Sequence, residues 1–232
     1  MTAETAVAKN AALVMTRNLS GFIASKVRHI RGGKPVPFCP QTNGATNVPV
    51  ETVCRSSTDL GGTFTAKAPN ATRGVDITIV YASHANNVPP ELVSEAHRAI
   101  LDADGASLEL GPPTGYVIKF SNGLTAYLTG DTGIHTEMKT VVNEYHKANL
   151  VVLNLGQNGG NVNSTAHAMN DLVRPASVIL THPNEAVTEG GKLRPATRVA
   201  ALIKQLKGVT PHLAISGRIM EVDGKGKCVA GC

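Results

Sequence analysis

Tyr127-Leu128-Thr129-Gly130-Asp131-Thr132-Gly133 is the stretch on which the reading of this chain turns. It is the apolar end of a strand running into a Gly-Asp-Thr-Gly turn. Upstream, Tyr116 to Phe120, a Ser121-Asn122-Gly123 turn and Leu124 to Thr129 read as a hairpin, because Asn-Gly between two apolar runs is a strong local turn signal. Downstream the pattern alternates. It predicts a helix over 135–147, a strand over 150–155, a helix over about 164–173, a strand over 176–181, a helix over 195–207, and strands over 212–216 and 218–223. Pro195 near the start of its helix and Gly208 just past its end occupy the positions such residues favour. Hairpins first and βαβ-like units later predict sheets with helices packed outside, an α/β layered architecture.

Working toward the N-terminus, Thr2 as a cap, Glu4 in a first turn and an Ala/Val/Leu/Met-rich run predict a helix over 2–16. A second short helix is expected over 20–30, loop over 31–47, and strands over 48–54 and 75–82. The long connection 85–113 holds Pro89-Pro90, a helix candidate at 91–101 and Gly111-Pro112-Pro113; connections of this length usually serve as lids or substrate loops. The expected organisation is one domain over 1–232, with a helical and loop lead-in at 1–47, sheets and helices over 48–223, and a tail at 224–232.

Composition narrows the class. The 232 residues are 42% hydrophobic but only 3% aromatic, with no Trp, so a sizeable core must be built from Val, Ile, Leu and Ala. The net charge of +5 sits in residues 1–40, which carry Lys9, Arg17, Lys26, Arg28, Arg31 and Lys34 against Glu4. This stretch is either a solvated helical face or an anion-binding patch; no aromatic residues interleave the cations as stacking on nucleic-acid bases would need. No run of about 18 apolar residues is present, so no membrane span is expected. Glu4, Lys9, Asn10, Arg17 and Asn18 interrupt the apolar core that a signal peptide requires, so the chain as it stands reads as cytoplasmic. Cys39, Cys54, Cys228 and Cys232 form no Cys-x-x-Cys, which argues against a thiolate zinc site; a Cys39–Cys54 disulfide fits an oxidising compartment. Gly-x-Gly-x-x-Gly, Walker and Gly-x-Ser-x-Gly patterns do not occur, which removes nucleotide-cofactor and serine-hydrolase readings.

Three segments each place a metal-type ligand at a strand end: Tyr81-Ala82-Ser83-His84, Gly130-Asp131-Thr132-Gly133 and Thr181-His182-Pro183. A sheet fixes the backbone of such ligands while the loops beyond stay free to shape a pocket. Two imidazoles and a carboxylate suit Zn²⁺, Mn²⁺ or Fe. Singly, each has a structural alternative: a hydrogen-bonded histidine, or a turn in which Asp131 accepts from the amides after it.

Together with Gly111-Pro112-Pro113-Thr114-Gly115-Tyr116-Val117-Ile118 and Asn149-Leu150-Val151-Val152-Leu153-Asn154-Leu155-Gly156, the Asp131 stretch resembles the metallo-β-lactamase superfamily of metal-dependent hydrolases, near its ascorbate-phosphate lactonase group. The resemblance covers about 75–220. It implies an αββα four-layer sandwich and assigns His84 and His182 as metal ligands and Asp131 as the carboxylate bridging two ions. It further implies hydrolysis of an ester, lactone, amide or phosphoester of a small molecule by a metal-held hydroxide, with one or two zinc ions, or Mn or Fe, as cofactor. The family's His-x-His-x-Asp-His motif does not occur here; the histidines are 29, 84, 97, 135, 146, 167, 182 and 212. The expectation is therefore a first half that is incomplete at its N-terminal side, a sheet with an open edge, and association into a homo-oligomer. A missing leader could also have carried a signal peptide. Thr132 is expected to orient Asp131 through its hydroxyl, His135 to stand behind it, and His167 to meet substrate beside the Gly156–Asn163 loop. His97 and His146 read as surface; His29 and His212 receive no role. The competing reading is a non-catalytic interaction domain that binds an acidic partner through the basic N-terminus.

Overall fold

The computed structural model describes residues 2–156 and 161–232. The chain opens with helix α1 (Thr2–Ala8), strand β1 (Ala12–Thr16) and helix α2 (Arg17–Ile30). Six strands follow: β2 (Gln41–Thr42), β3 (Ala45–Asn47), β4 (Cys54–Thr58), β5 (Thr63–Lys67) and β6 (Val75–Tyr81) before helix α3 (Glu95–Asp104), then β7 (Thr114–Lys119) after it. The second half holds β8 (Thr125–Leu128), β9 (Leu150–Asn154), helix α4 (Val162–His167), β10 (Ser177–Thr181), β11 (Thr188–Glu189), β12 (Lys192–Leu193), helix α5 (Arg198–Gln205), β13 (Thr210–Leu213), β14 (Glu221–Val222) and β15 (Cys228–Ala230). Two wider helices, Met138–Tyr145 and Ala168–Val173, complete the helical layer, and Asn143 Nδ2 donates to the Leu172 carbonyl between them at 2.7 Å.

Nine strands join in one mixed sheet, ordered β13-β10-β9-β8-β7-β6-β5-β3-β2, while β1 and β4 pair in parallel apart from it. This is the α/β class expected. Direction matters more than order. β8, β9, β10 and β13 are mutually parallel, and β6 points the same way because β7 runs antiparallel to both β6 and β8. The carboxyl ends of β6, β8, β9 and β10 therefore share one edge of the sheet, where open α/β sheets generally bind ligands.

The largest core lies between this part of the sheet and its helices. Val142, Val151, Met169, Val173 and Val178 are fully enclosed there, together with Tyr127, the largest fully buried side chain. The scarcity of aromatics is thus met by β-branched aliphatic packing, each such side chain contributing about 1.5–3 kcal/mol by leaving water. A small satellite cluster joins Ala3, Ala6, Val27, Val36 and Val53 under the N-terminal helices.

Four expectations change. The helix expected over 2–16 stops at Ala8. Asn10 is left-handed (φ 46°), Ala11 N–H reaches back to Ala6 O at 2.9 Å and Asn10 N–H to Val7 O at 3.3 Å, which closes the helix with a Schellman turn. Ala12–Thr16 then extends to pair with β4, a partner some forty residues away that local propensity cannot see. The strand expected at 48–54 begins only at Cys54, since Pro49 has no N–H to give a ladder. The supposed lead-in 1–47 supplies β2 and β3 to the large sheet, and the tail 224–232 is an ordered strand, β15, paired with β14. The basic stretch also spends cations on its own loops: Arg28 Nε donates to Gly33 O at 3.1 Å, and Arg31 donates to Pro35 O at 2.7 Å and Thr52 Oγ1 at 3.1 Å. Among the described residues no helix is long and apolar enough to cross a membrane.

Cys39 and Cys54 form a disulfide with Cα atoms 4.8 Å apart, closing a 15-residue span beside Val50. A loop of that length gives about 3 kcal/mol by restricting the unfolded chain. The double substitution Cys39→Ala/Cys54→Ala is expected to lower the unfolding free energy by about that amount, read as a lower urea midpoint with a slope that rises as the released unfolded chain exposes more surface.

Candidate metal centre

The three sequence-selected ligands meet at the shared carboxyl edge. β6 ends at Tyr81, and Ala82 N–H bonds Pro113 O at 3.1 Å, which directs the chain toward His84. Ser83 N–H donates to Thr132 Oγ1 at 2.8 Å, and Gly133 N–H donates to Ser83 O at 2.8 Å. This reciprocal pair locks the end of β6 to the turn that carries Asp131. On the other side Thr129, fully buried, accepts from Asn154 N–H through Oγ1 at 3.0 Å and ties the same turn to the end of β9. Gly130 (φ 61°) turns the chain where an added Cβ would stand 2.7 Å from Thr114 O. β10 ends at Thr181, and His182 takes the left-handed conformation (φ 49°), a costly choice for a residue with a Cβ and one that clusters at functional sites. Arg198 holds that turn by donating to Pro183 O.

The result is a carboxylate between two imidazoles. His84 Nε2 lies 3.8 Å and His182 Nε2 3.9 Å from Asp131 Oδ2. His84 Nδ1 bonds Ala85 O, which makes Nδ1 the protonated nitrogen and leaves the Nε2 lone pair facing Asp131. Asp131 Oδ1 is buried and has no hydrogen-bond partner among the described residues. Gly156 closes the back of the site: a Cβ there would stand 2.5 Å from Asp131 Oδ1 and 3.0 Å from His182 Cδ2. Two atoms bound to one zinc-like ion at about 2.0–2.2 Å stand less than about 4.4 Å apart, so either imidazole can share an ion with Asp131. Among the described residues only His212, Cys228 and Cys232 bring three ligand atoms all within 4.8 Å of one another. The two imidazoles are therefore farther apart than that, with Asp131 between them. An orphaned buried carboxylate oxygen, a cradle that a Cβ would fill and a His/Asp/His donor set fit divalent ions.

The residues of second rank divide. Thr132 is buried, but its hydroxyl serves Ser83 N–H and Gly133 O, so it positions the loop before His84 and makes no hydrogen bond to Asp131. His135 packs edge-on against Tyr81, ring centroids 5.2 Å apart, with both ring nitrogens enclosed and without a hydrogen-bond partner among the described residues. His167 Nδ1 bonds Asp171 at 2.7 Å one helical turn away, which turns it along its own helix; residues 157–160 of the loop expected beside it lie outside the described residues. Gly156 and Thr129 stand in the quoted motifs as strand-end residues, but the role of Gly156 rests on Asp131 and His182, beyond β8 and β10, and that of Thr129 on Asn154 of β9, which no local pattern encodes.

Two features suit substrate. The 85–113 connection leaves directly after His84 and is closed at its base by Val88 N–H to Leu108 O at 2.8 Å and by Asn86 Nδ2 to Gly111 O. Its helix α3 buries no residue. A cleft of about 250 Å³ beside His182 is lined by Thr181, Pro183, Glu185 and Val199.

Comparison with known proteins follows this geometry. No family model matches the chain. It is 30% identical over 125 residues to a UPF0173 metal-dependent hydrolase of Polynucleobacter asymbioticus, covering 52% of this chain and 40% of that protein. It is 34% identical over 70 residues to one from Chloroflexus aurantiacus (30% of this chain, 28% of that protein). A third, from Methanosarcina barkeri, is 34% identical over 86 residues (37% and 36%). The matches thus span less than half the length of these curated relatives. In three dimensions the chain is similar to Igni18, a metallo hydrolase from the archaeon Ignicoccus hospitalis, with TM-score 0.53 and 17% identity over 98% of this chain and 72% of that one. It is similar also to an isothiocyanate hydrolase from Delia radicum gut bacteria, with TM-score 0.50 and 16% identity over 99% and 70%. The chain thus shares its fold with these solved hydrolases, and its sequence relatives are named metal-dependent hydrolases.

Two outcomes are expected. Gly156→Ala forces Asp131 and His182 apart, so zinc affinity measured by competition with a chelating dye falls at least about tenfold while the melting temperature changes little. His135 is held below its ordinary pKa of 6.5 by burial, against a smaller upward pull from Glu137. A lowered folded value means the unfolded chain binds the proton first, so His135 leaves stability intact above about pH 6.5 and subtracts from it as pH falls toward the folded value. Urea midpoints at about pH 7.5 and about pH 5 should show His135→Phe losing less stability on acidification than the unsubstituted chain.

Proposed function

We propose that this chain is a metal-dependent hydrolase centred on Asp131. The observation that carries the proposal is the Asp131 carboxylate set between His84 and His182 at 3.8 and 3.9 Å, with its second oxygen enclosed and without a partner among the described residues. The names of the sequence relatives support the same reading. His84 with Asp131 would hold one ion and His182 with Asp131 the other; zinc suits this set best, with Mn or Fe also accepted. A bound divalent ion would polarise a scissile carbonyl or phosphoryl oxygen and ease the loss of a proton from water beside it. The protein's own work is placement. Asp131 bridges, the Ser83–Thr132–Gly133 bonds fix His84 relative to it, and the left-handed turn at His182 with Arg198 behind it fixes the third ligand. The cleft beside His182 and the 85–113 segment would receive a small-molecule ester, lactone, amide or phosphoester. Each ion position draws one imidazole and a share of one carboxylate from these residues, so binding is weak enough for a chelator to empty it.

The test uses chelator-treated protein reloaded with Zn²⁺, Mn²⁺ or Fe²⁺ and a panel of chromogenic esters, lactones, amides and phosphodiesters. Hydrolysis is expected only with ion present, and it should fall at least about 100-fold in Asp131→Asn and in His84→Ala/His182→Ala. Protein that takes up no ion, or turnover indifferent to these substitutions, overturns the reading.

A further inference from the structure

A second cluster lies far from Asp131 and plays no part in the chemistry above. His212 of β13, Cys228 of β15 and Cys232 place one ligand atom each within 4.8 Å of one another. His212 Nε2 is buried and has no hydrogen-bond partner among the described residues. The position is fixed by the hairpin that the tail forms. Ser177 Oγ donates to Gly226 O, and Asn149 Nδ2 donates to Gly224 O at 3.0 Å, so the hairpin rests where β9 and β10 begin. Asp131 and His182 lie where β8 and β10 end, at the opposite edge of the sheet. Gly231 (φ 73°) turns the chain so that Cys232 comes back to Cys228; a Cβ there would collide with Ile219 O.

Cys228-Val229-Ala230-Gly231-Cys232 is a Cys-x3-Cys, inside the two-to-four-residue spacing of zinc-binding thiolate pairs. The absence of Cys-x-x-Cys is therefore no argument against a thiolate site. Sulfurs at about 2.3 Å and a nitrogen at about 2.0 Å from one zinc stand about 3.5–3.8 Å apart in a tetrahedron. The imidazole nitrogen already lies within 4.8 Å of both sulfurs, and once the disulfide is reduced the sulfurs need only part from about 2 Å to about 3.8 Å by rotation of their side chains.

The structure shows Cys228 and Cys232 joined as a disulfide. We propose that the reduced pair and His212 form a zinc site, of which the disulfide is the metal-free, oxidised form. A thiol reductant supplies two electrons and two protons to the sulfur–sulfur bond, giving two thiols and the reductant's own disulfide. Zinc then displaces both thiol protons to solvent and forms two bonds to sulfur and one to imidazole nitrogen. The fourth position faces outward, beside the exposed Cys232, and is filled by water. Such an ion would clasp the tail hairpin to edge strand β13 and shield that edge of the nine-stranded sheet.

Cobalt tests this directly, because thiolate-bound Co²⁺ absorbs strongly in the near ultraviolet by sulfur-to-metal charge transfer and Co²⁺ on His and Asp alone does not. Phosphine-reduced full-length chain is expected to show the band with stoichiometric Co²⁺, to lose it on addition of excess Zn²⁺, and to show none before reduction. Asp131→Asn should leave it intact, which separates this site from the proposed hydrolytic one. Cys232→Ser, at an exposed position whose substitution leaves the fold unchanged by circular dichroism, should abolish the band. His212→Ala should weaken cobalt binding at least about tenfold. No band in the reduced chain, a band that survives Cys228→Ser/Cys232→Ser, or affinity unchanged in His212→Ala overturns the proposal.

Discussion

Two short hydrogen bonds, Ser83 N–H to Thr132 Oγ1 and Gly133 N–H to Ser83 O, join the end of β6 to the turn after β8 across the intervening strand β7. Everything at the candidate centre depends on that junction. β6 and β8 are parallel only because β7 runs between them in the opposite sense, so their ends have no ladder bonds in common. Without the Thr132 hydroxyl the loop carrying His84 would have one bond fewer to hold it against Asp131. The price of placing two ligands on non-adjacent strands is met by a buried threonine.

The same logic extends outward. Thr129 ties the Asp131 turn to β9, Leu155 N–H bonds Thr181 O at 3.0 Å between β9 and β10, and Thr181 Oγ1 bonds Leu153 O at 2.9 Å. Each strand end is thus stitched to the next by a threonine hydroxyl or a backbone bond. Buried hydroxyls so paired cost little and gain directionality, which close packing of aliphatic side chains alone does not provide. The valine-rich core sets the distance between sheet and helices, and the threonines set where the ligands point.

Much of this was legible in the sequence, and what was legible has a pattern. β6, the β7–β8 hairpin, β9 and β10 show themselves because their apolar runs are short, bounded by turn residues and self-consistent with their neighbours. His84, Asp131 and His182 stand out because each is a polar, ligating residue at the end of such a run. The N-terminal third was read less well. Ala12–Thr16 carries helix-favouring Ala, Leu and Met yet forms a strand, since its partner Cys54–Thr58 is remote in sequence. β3 and β5 are Thr-rich and weakly apolar, so their membership of the sheet depends on neighbours rather than on periodicity. The Thr132 hydroxyl bonds Ser83 N–H and Gly133 O. Its true acceptor role needs Ser83, forty-nine residues upstream, to be in place.

The segment 85–113 has a further consequence. Its base is closed twice, at Ala82–Pro113 and at Asn86–Gly111, while the helix at its tip buries nothing. A loop whose ends are tied independently of its content can change length or composition at small entropic cost, because closure entropy grows only with the logarithm of length. Variation there leaves His84 and Asp131 where they are. The scaffold therefore separates two evolutionary problems, keeping the Asp131 cluster in place and varying the surface beside it, and leaves the second to a stretch of chain that can be exchanged whole.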